Sequence, residues 1–582
     1  MSDTIGTMEV SDLVRKLLHT RGIETDTDIE MFLNPDYDLH THSPMLIEGM
    51  DTALERLFNA MDTGERIAVY ADFDCDGIPG ASVLSDFFKK IGYENVEIYI
   101  PHRDREGYGF HPEAIALLAS RDVKLIITVD VGTTAVDSVR FAKENGVDVI
   151  ITDHHEIMGD LPAGRHGLPD AVAVLNPKRG TYPFRDLCGA AMAFKLAQAA
   201  LIDGKRRGMA RFASIPDGWE KWLLDLVAIA TVADMVPLVG ENRTLARFGL
   251  SVLRKSPRPG IRALCTRLRL KQSELTEDDI GFSIAPRINA ASRMGEPDLA
   301  FRLLTTQDRA EAENIAAHLE ELNASRKGVV ASMVRQARKV VSARHKDEDR
   351  VVVLGSVEWK PALLGLAATA LLKDRARLPA GRQGGVVCVW GRDGNGRLKG
   401  SCRSDGSVSL SEVFQNAGDA LLEYGGHEKS GGFSVSHERI HELQDIFEKA
   451  AAISTAGTVQ NTLEADVHIT LPEISLRTFQ EVSQLGPFGV GNRKPMFLVE
   501  GSTVASVKRF GKENNHVEIS LTCQNSNAKY RAFDFFRAPE DFTHTPLLGG
   551  SARFLATLER DSYRGGLALR LVDVLTPLEI VL

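Results

Sequence analysis

A chain of 582 residues has room for about four domains. A hydrophobic content of 43%, with 25% charged residues, 50 glycines and 23 prolines, excludes wholesale disorder and collagen-like or low-complexity sequence. The net charge of −10 would argue against a nucleic-acid partner if charge were evenly spread. It is not: Arg254, Lys255, Arg258, Arg262, Arg267, Arg269 and Lys271 follow one another without an acidic residue between them, a stretch that on its own reads as a solvated helix face.

Met1-Ser2-Asp3-Thr4 begins no basic region followed by an apolar core, so no signal peptide is expected. An N-terminal segment (1–45) precedes an α/β domain (46–300). Ile67–Tyr70, Val96–Ile100, Leu125–Val129 and Val147–Ile151 read as buried parallel strands, with helices over Ala81–Lys90, Pro112–Ala119 and Thr134–Asn145 between them. That is a doubly wound parallel sheet, whose ligands sit at the carboxyl ends of the strands. The longest apolar run, Leu223–Val239, contains Asp225 and Asp234 and is not a membrane span. A connecting helix (301–348) has Ile315, Leu319, Leu322, Val330, Met333, Ala337 and Val341 at helical spacing, with Thr305 and Thr306 as candidate caps. Val351–Leu354 and Val386–Trp390 begin a second, smaller α/β domain (349–455). Within 456–582, short alternating runs after Leu485-Gly486-Pro487-Phe488-Gly489 have the pattern of a small β-barrel. Leu161–Gly167 and Leu378–Gly384 are near-duplicates and read as surface-loop insertions without a chemical role. The six cysteines (Cys75, Cys188, Cys265, Cys388, Cys402, Cys523), with no CxxC, read as reduced cytoplasmic thiols.

The candidate strand ends are acidic: Asp72-Phe73-Asp74-Cys75-Asp76-Gly77 after the first, Asp130 after the third and Asp153-His154-His155 after the fourth. Asp234, closing the run Leu226–Ala233, is read as a fourth acidic strand end on the same edge. In an extended segment Asp72, Asp74 and Asp76 share one face unless a turn begins sooner. Carboxylates this close repel one another, a cost that divalent cations remove. Carboxylates with imidazoles and no thiolate favour Mn²⁺ or Mg²⁺, and two such ions would bind a phosphodiester, activate a water and stabilise the leaving oxygen. A calcium loop is excluded, because the glutamate it needs six residues after Gly77 is Val83.

These four acidic motifs resemble, in order, those of the DHH phosphoesterase superfamily. Over essentially its whole length the chain is similar to the RecJ family within it. Its markers are Pro286-Arg287-Ile288-Asn289-Ala290-Ala291-Ser292-Arg293-Met294-Gly295, Gly425-Gly426-His427 with Ser430-Gly431-Gly432-Phe433, and Pro487-Phe488-Gly489-Val490-Gly491-Asn492. The resemblance implies a DHH catalytic domain, a DHHA1-type substrate domain and a C-terminal OB-fold barrel. It also implies 5′→3′ hydrolysis of single-stranded DNA to mononucleotides with Mn²⁺ or Mg²⁺, in DNA repair and recombination. A cytoplasmic monomer is expected, with a single-strand-binding protein and a RecQ-type helicase as partners.

Carried over by motif, Asp74, Asp76, Asp130, His154 and Asp234 would be metal ligands. Asp72, Asp153 and His155 would sit in or beside that shell, with His155 against the scissile phosphate. Arg287 and Arg293, flanking Asn289, would clamp phosphate, with a domain-interface ion pair as the alternative. Arg103 and Arg105 would hold phosphate near the 5′ end, with Tyr108 stacked on a base. In the second lobe Gly425, Gly426 and His427, and Ser404 within Ser401-Cys402-Arg403-Ser404, would face the same cleft. In the barrel, Lys508-Arg509-Phe510, His516, Phe533, Phe535 and Phe536 combine base and aromatic as single-strand binding requires. Trp359-Lys360-Pro361, Ser292 and Glu428-Lys429-Ser430 depart from the family pattern. A phosphoesterase of small substrates and a catalytically silent scaffold are the competing readings.

Overall fold

The computed structural model describes residues 10–157, 167–346, 349–376, 385–454, 464–511, 513–523, 526–561 and 565–576. The two repeated segments, but for Gly167, lie outside them. The chain divides into two compact units, residues 41–460 and residues 1–40 with 461–582.

In the larger unit, β1 (Arg66–Ala71), β2 (Val96–Tyr99), β3 (Val123–Val129), β4 (Asp148–Thr152) and β5 (Ala173–Leu175) form an all-parallel sheet in the order β2-β1-β3-β4-β5. The strand order reverses direction at β1/β3, the switch point where such sheets open a crevice for ligands. Helix Gly77–Lys90 buries almost its whole surface against this sheet and against helix Gly189–Arg206. Helix Leu224–Ala233 is apolar on nearly every side and is buried from Leu224 to Thr231. Asp234 therefore closes a helix and not a strand. A run with apolar groups all round shows no periodicity that separates the two.

The connecting helix spans Arg309–Arg344, and its cap is Asp308, whose carboxylate accepts the Glu311 N–H at 2.9 Å. Thr306 instead donates its hydroxyl to the Glu311 side chain. A second sheet follows in the order β6 (Val351–Gly355), β7 (Val386–Arg392), β8 (Leu398–Ser404), β10 (Ser430–Val435) and β9 (Glu423–His427), parallel only between β6 and β7. Cys388 and Cys402 are direct cross-strand partners in β7 and β8 and are joined as a disulfide, which corrects the expectation of six separate thiols. Pairing of β-strands, invisible in Cys spacing, brings them together.

In the smaller unit, β11 (Val467–Thr470) lies parallel to β12 (Phe497–Phe510). The ladder then runs through β13 (His516–Cys523), β14 (Ser526–Asp534), β16 (Leu567–Leu575) and β15 (Ser551–Arg560), and β15 pairs back to β12. The strands from β12 to β16 close a barrel, which removes free sheet edges. Leu17, Leu18 and Leu33 of the N-terminal helices Asp12–His19 and Asp26–Leu33 complete the barrel's core beside Phe497, Ile519 and Phe554. Ser11 caps the first of them and donates to Glu481 at 3.0 Å.

Candidate active site

The carboxyl ends of β1, β3 and β4 and the end of helix Leu224–Ala233 meet in one acidic pocket. The chain turns immediately after Asp72: the Asp74 carboxylate accepts the N–H groups of Asp76 (2.8 Å) and Gly77 (3.3 Å). This early turn separates the three aspartates. Asp72 and Asp74 group with Asp130, whereas Asp76 groups with His154 and Asp234; in each trio the ligand atoms lie within 4.8 Å of one another. Asp130 also forms a further trio of this kind with His154 and His155. His154 Nε2 stands 3.2 Å from Asp130 Oδ1 and 3.6 Å from both Asp76 Oδ2 and Asp234 Oδ2.

Backbone donors fix these groups. Asp76 accepts the Gly189 and Ala190 N–H groups at 2.6 and 2.7 Å, at the start of helix Gly189–Arg206, where the helix dipole also favours an anion. Asp153 accepts Thr133 N–H at 2.8 Å and His154 N–H at 2.7 Å, and holds His155 Nδ1 at 2.7 Å. Asn289 accepts the Cys75 N–H at 3.0 Å and so pins the acidic loop to helix Ala285–Arg293. Two glycines allow the close packing. A Cβ on Gly77 would lie 2.3 Å from Asp72 O, and one on Gly189 would lie 2.5 Å from Asp130 Cβ.

Crowding sets the electrostatics. Burial and the charge of Asp74 raise the Asp76 carboxyl to about 6, and burial with Asp76 and Asp74 raises Asp234 to about 9. Burial, then neighbouring carboxylates, pushes Asp72 and Asp130 well above the usual range. Burial and the charge of His155 lower His154 to about 4, leaving a neutral imidazole that can ligate. Burial works against the charge of His155, but the hydrogen bond and charge of Asp153 override it and raise His155 to about 9. Asp153, despite its burial, is held well below the usual carboxylate range by the same bond.

The buried oxygens Asp72 Oδ1 and Asp130 Oδ1 accept no hydrogen bond. Orphaned acceptors, four destabilised carboxylates and a neutral imidazole make a donor set that fits hard divalent cations of the Mn²⁺ or Mg²⁺ type.

A cationic site adjoins the acids. Arg293 is partly buried, donates to Ala362 O at 2.6 Å and has no carboxylate partner among the described residues. Burial lowers its pKa to about 9, and Arg103 and Arg326 add like charge. The Arg103 guanidinium lies 4.6 Å from the Phe73 ring centroid. Arg403 faces the same region from β8, where Gly365 leaves it room: a Cβ there would lie 2.7 Å from its Nη2.

Not all of the other expected contacts meet this site. Arg287 pairs with Glu320 on the connecting helix at 2.7 Å and donates to Ser283 O, so it ties elements together instead of meeting the pocket. Ser404 is buried and donates to Val408 O at 2.6 Å. In a strand side chains alternate faces, so Ser401 and Arg403, not Ser404, point to the cleft. The Tyr108 hydroxyl lies 3.2 Å from His155 Nδ1 and 3.3 Å from Asp130 O, with the ring half exposed. Arg105 is exposed, and its carbonyl accepts from Asn395 at 3.3 Å. Gly425, Gly426 and His427 form the exposed edge strand β9; Gly426 and His427, with Glu156, Ser411 and Lys429, line a cavity of about 530 Å³. Arg403 lies within the family-like segment Ser401–Ser404, where Ser404 and not Arg403 is the expected contact, whereas Gly189, Thr133 and Glu156 carry no motif signal of their own.

Within the barrel unit, Phe510, His516 and Phe535 have ring centroids 5.0–6.0 Å apart, and the Arg570 guanidinium stands 4.4 Å from Phe535. Phe533 is buried, whereas Phe535 and Phe536 are exposed.

A parallel sheet that gathers this acid–imidazole set at its switch point defines a DHH-type domain. Residues 66–231 match the N-terminal domain of the DHH family, 348–452 the DHHA1 domain and 465–572 the RecJ OB domain. The chain belongs to the RecJ family. It is 30% identical over 502 residues to the single-stranded-DNA-specific exonuclease RecJ of Salmonella typhimurium, covering 84% of this chain and 83% of that one. It is 35% identical over 522 residues to RecJ of Bacillus subtilis, covering 89% of this chain but spanning 62% of that relative's length. The crystal structure of RecJ with Mn²⁺ from Thermus thermophilus superposes with a TM-score of 0.78 at 27% identity, over 98% of this chain and 77% of that one. The Mg²⁺ complex of the same protein gives a TM-score of 0.72 at 25% identity, over 98% and 76%.

Proposed function

We propose that this chain is a metal-dependent exonuclease that hydrolyses single-stranded DNA 5′→3′ to mononucleotides, acting in DNA repair and recombination. The observation that carries the reading is the site of Arg103, Arg293 and Arg403 beside the acidic pocket, where no carboxylate among the described residues forms a salt bridge with them, in a chain related to single-strand-specific exonucleases. Asp76, His154 and Asp234 would hold one cation and Asp72 and Asp74 a second, with Asp130 shared between them. Mn²⁺ or Mg²⁺ supplies Lewis acidity at phosphorus and lowers the pKa of water. The protein's own groups do the rest. Asp153 orients His155 toward the pocket as a donor to a phosphate oxygen, and Tyr108 steadies its ring. The three arginines bind phosphate of the strand, and the Gly426–His427 edge faces the same cleft from the second lobe. Asn289 and the N–H groups of Gly189 and Ala190 keep the aspartates in register. We infer a monomer, recruited by a single-strand-binding protein and a RecQ-type helicase; no described helix is long and apolar enough to cross a membrane.

The test uses 5′-labelled and 3′-labelled single strands and a blunt duplex, with Mn²⁺ and with EDTA. Early release of labelled mononucleotide from the 5′ end alone, lost in EDTA and absent on duplex, is expected. Intact strands with cleaved dinucleotides would replace this reading with that of a small-substrate phosphoesterase, and no hydrolysis at all would leave a scaffold.

A further inference from the structure

The end of the catalytic domain remote from the acidic pocket carries cationic and aromatic groups that the chemistry above does not use. Helix Gly77–Lys90 starts at the acidic loop and runs 14 residues, so its last turn lies about 20 Å from the aspartates. Helix Leu224–Ala233 ends at Asp234 and starts just after Trp222, so its beginning is also remote from them. The two far ends meet. Lys90 Nζ stands 5.6 Å from the Trp219 ring centroid, and Lys255 Nζ stands 5.6 Å from that of Trp222. Trp222 is 47% exposed, unusual for an indole on a free surface.

Hydrogen bonds join this corner to the rest of the basic stretch. Arg254 Nε donates to Leu275 O at 2.8 Å, and Gln272 donates to Leu253 O and Ser256 O, which ties the 272–275 segment, where Lys271 is paired with Glu274 at 2.5 Å, to the chain around Arg254 and Lys255. Lys90, Arg254, Lys255 and Arg269 are exposed and have no carboxylate partner among the described residues. Arg258, in the same stretch, shows the contrast: it is largely buried and bound by Asp225 and Asp86 at 2.8 and 2.6 Å. Arg258 therefore holds the fold together and Lys271 is paired with Glu274, while Arg254, Lys255 and Arg269 leave a positive face on a chain of net charge −10. An ordinary solvated face has charge without exposed indole. Charge beside a stacking surface is the combination that binds single-stranded nucleic acid without sequence preference.

We propose that this face is a second, non-catalytic binding surface for single-stranded nucleic acid, with phosphates on Lys90, Arg254 and Lys255 and a base stacked on Trp222. It rests on the nuclease reading only for the choice of polyanion. A long strand engaged at both places gains effective concentration that a strand too short to reach both cannot.

The experiment measures anisotropy of labelled oligonucleotides of about 4 and about 40 nucleotides with the full chain in EDTA, where strands stay intact. The variants are Trp222→Ala, Trp222→Phe and Lys255→Glu. Trp222→Ala should weaken binding of the long strand by about tenfold and leave the short one unchanged, and Trp222→Phe should restore most of the loss. Lys255→Glu should lower the salt slope of log K by about 0.7 for each phosphate contact removed. Equal long-strand affinity in all four proteins would overturn the proposal. So would long-strand binding that is unaltered while binding of a poly-glutamate peptide is lost, which would make the face a dock for acidic protein. Because binding is read without hydrolysis, an inactive enzyme would refute the nuclease reading and leave this test intact.

Discussion

Gly189→Ala tests the geometry of the pocket with a single methyl group. The added Cβ would lie 2.5 Å from Asp130 Cβ and 2.9 Å from its Cα, inside a wall where neither atom can leave without moving the backbone. Ordinary contact lies near 3.5–4.0 Å, so Asp130 or the start of helix Gly189–Arg206 must shift by about 1 Å. The same N-terminus donates two N–H groups to Asp76, so one displacement disturbs both cation trios. Misplacement of about 1 Å costs on the order of 100-fold in rate, and overpacking costs about 1–3 kcal/mol of stability, which a core of this size survives. The assay is kcat/KM on a labelled single strand at saturating Mn²⁺, with circular dichroism and thermal melting to show that the protein is folded. Gly328→Ala is the control: nothing lies within 4 Å of its added Cβ, it sits in the connecting helix, and it should leave activity unchanged while stabilising by about 0.5–1 kcal/mol. A folded Gly189→Ala protein within threefold of the wild type would refute the placement of Asp130 as a shared ligand.

Metal removal should destabilise in a pH-dependent way. Asp76 and Asp234 titrate near 6 and 9 in the fold, against 3.8 for a free carboxyl, so the metal-free fold holds protons that the unfolded chain releases. Its stability must then fall as pH rises from about 4 through 9, and added Mn²⁺ should raise Tm more at pH 8 than at pH 6; a flat difference across that range would contradict the clustering. Tyr108→Phe removes the hydroxyl from His155 and keeps the ring, so kcat should drop about tenfold with little change in KM, whereas Tyr108→Ala should also raise KM. Arg403→Ala should raise KM for single strands about tenfold or more, while Ser404→Ala, on the opposite face of β8, should leave KM unchanged; equal effects would show that the strand parity is misassigned. Arg293→Lys keeps the charge but loses the planar fork, and steady-state kinetics should show a rise in KM larger than any change in kcat.

Much of the architecture is written locally. The buried runs around Ile67, Leu125 and Val149 can only be central strands of a covered sheet, and the acidic residues that end them arrive at one edge because parallel strands share a direction. The spacing of apolar residues in 309–344 suffices for a long helix, and short alternating runs after residue 485 suffice for a barrel. These signals depend on periodicity, which neighbours in sequence carry among themselves.

What tertiary structure alone decided depends on residues far apart in the chain. The nearly unbroken apolar run before Asp234 has no polar face to report its period, so only packing shows that this ligand candidate leaves a helix. Where the chain turns after Asp72 is set by Asp74 accepting two N–H groups, and that turn divides the aspartates between two trios. Arg287 and Arg293 stand six residues apart in one motif, yet Glu320 occupies the first and no carboxylate among the described residues meets the second. Cys388 and Cys402, Ser404 and Arg403, and Gly189 against Asp130 acquire their roles through strand pairing, strand parity and close approach. Composition and spacing specify which chemistry the chain can perform; three-dimensional contact, where charge and volume compete at distances of a few ångströms, selects the residues that perform it.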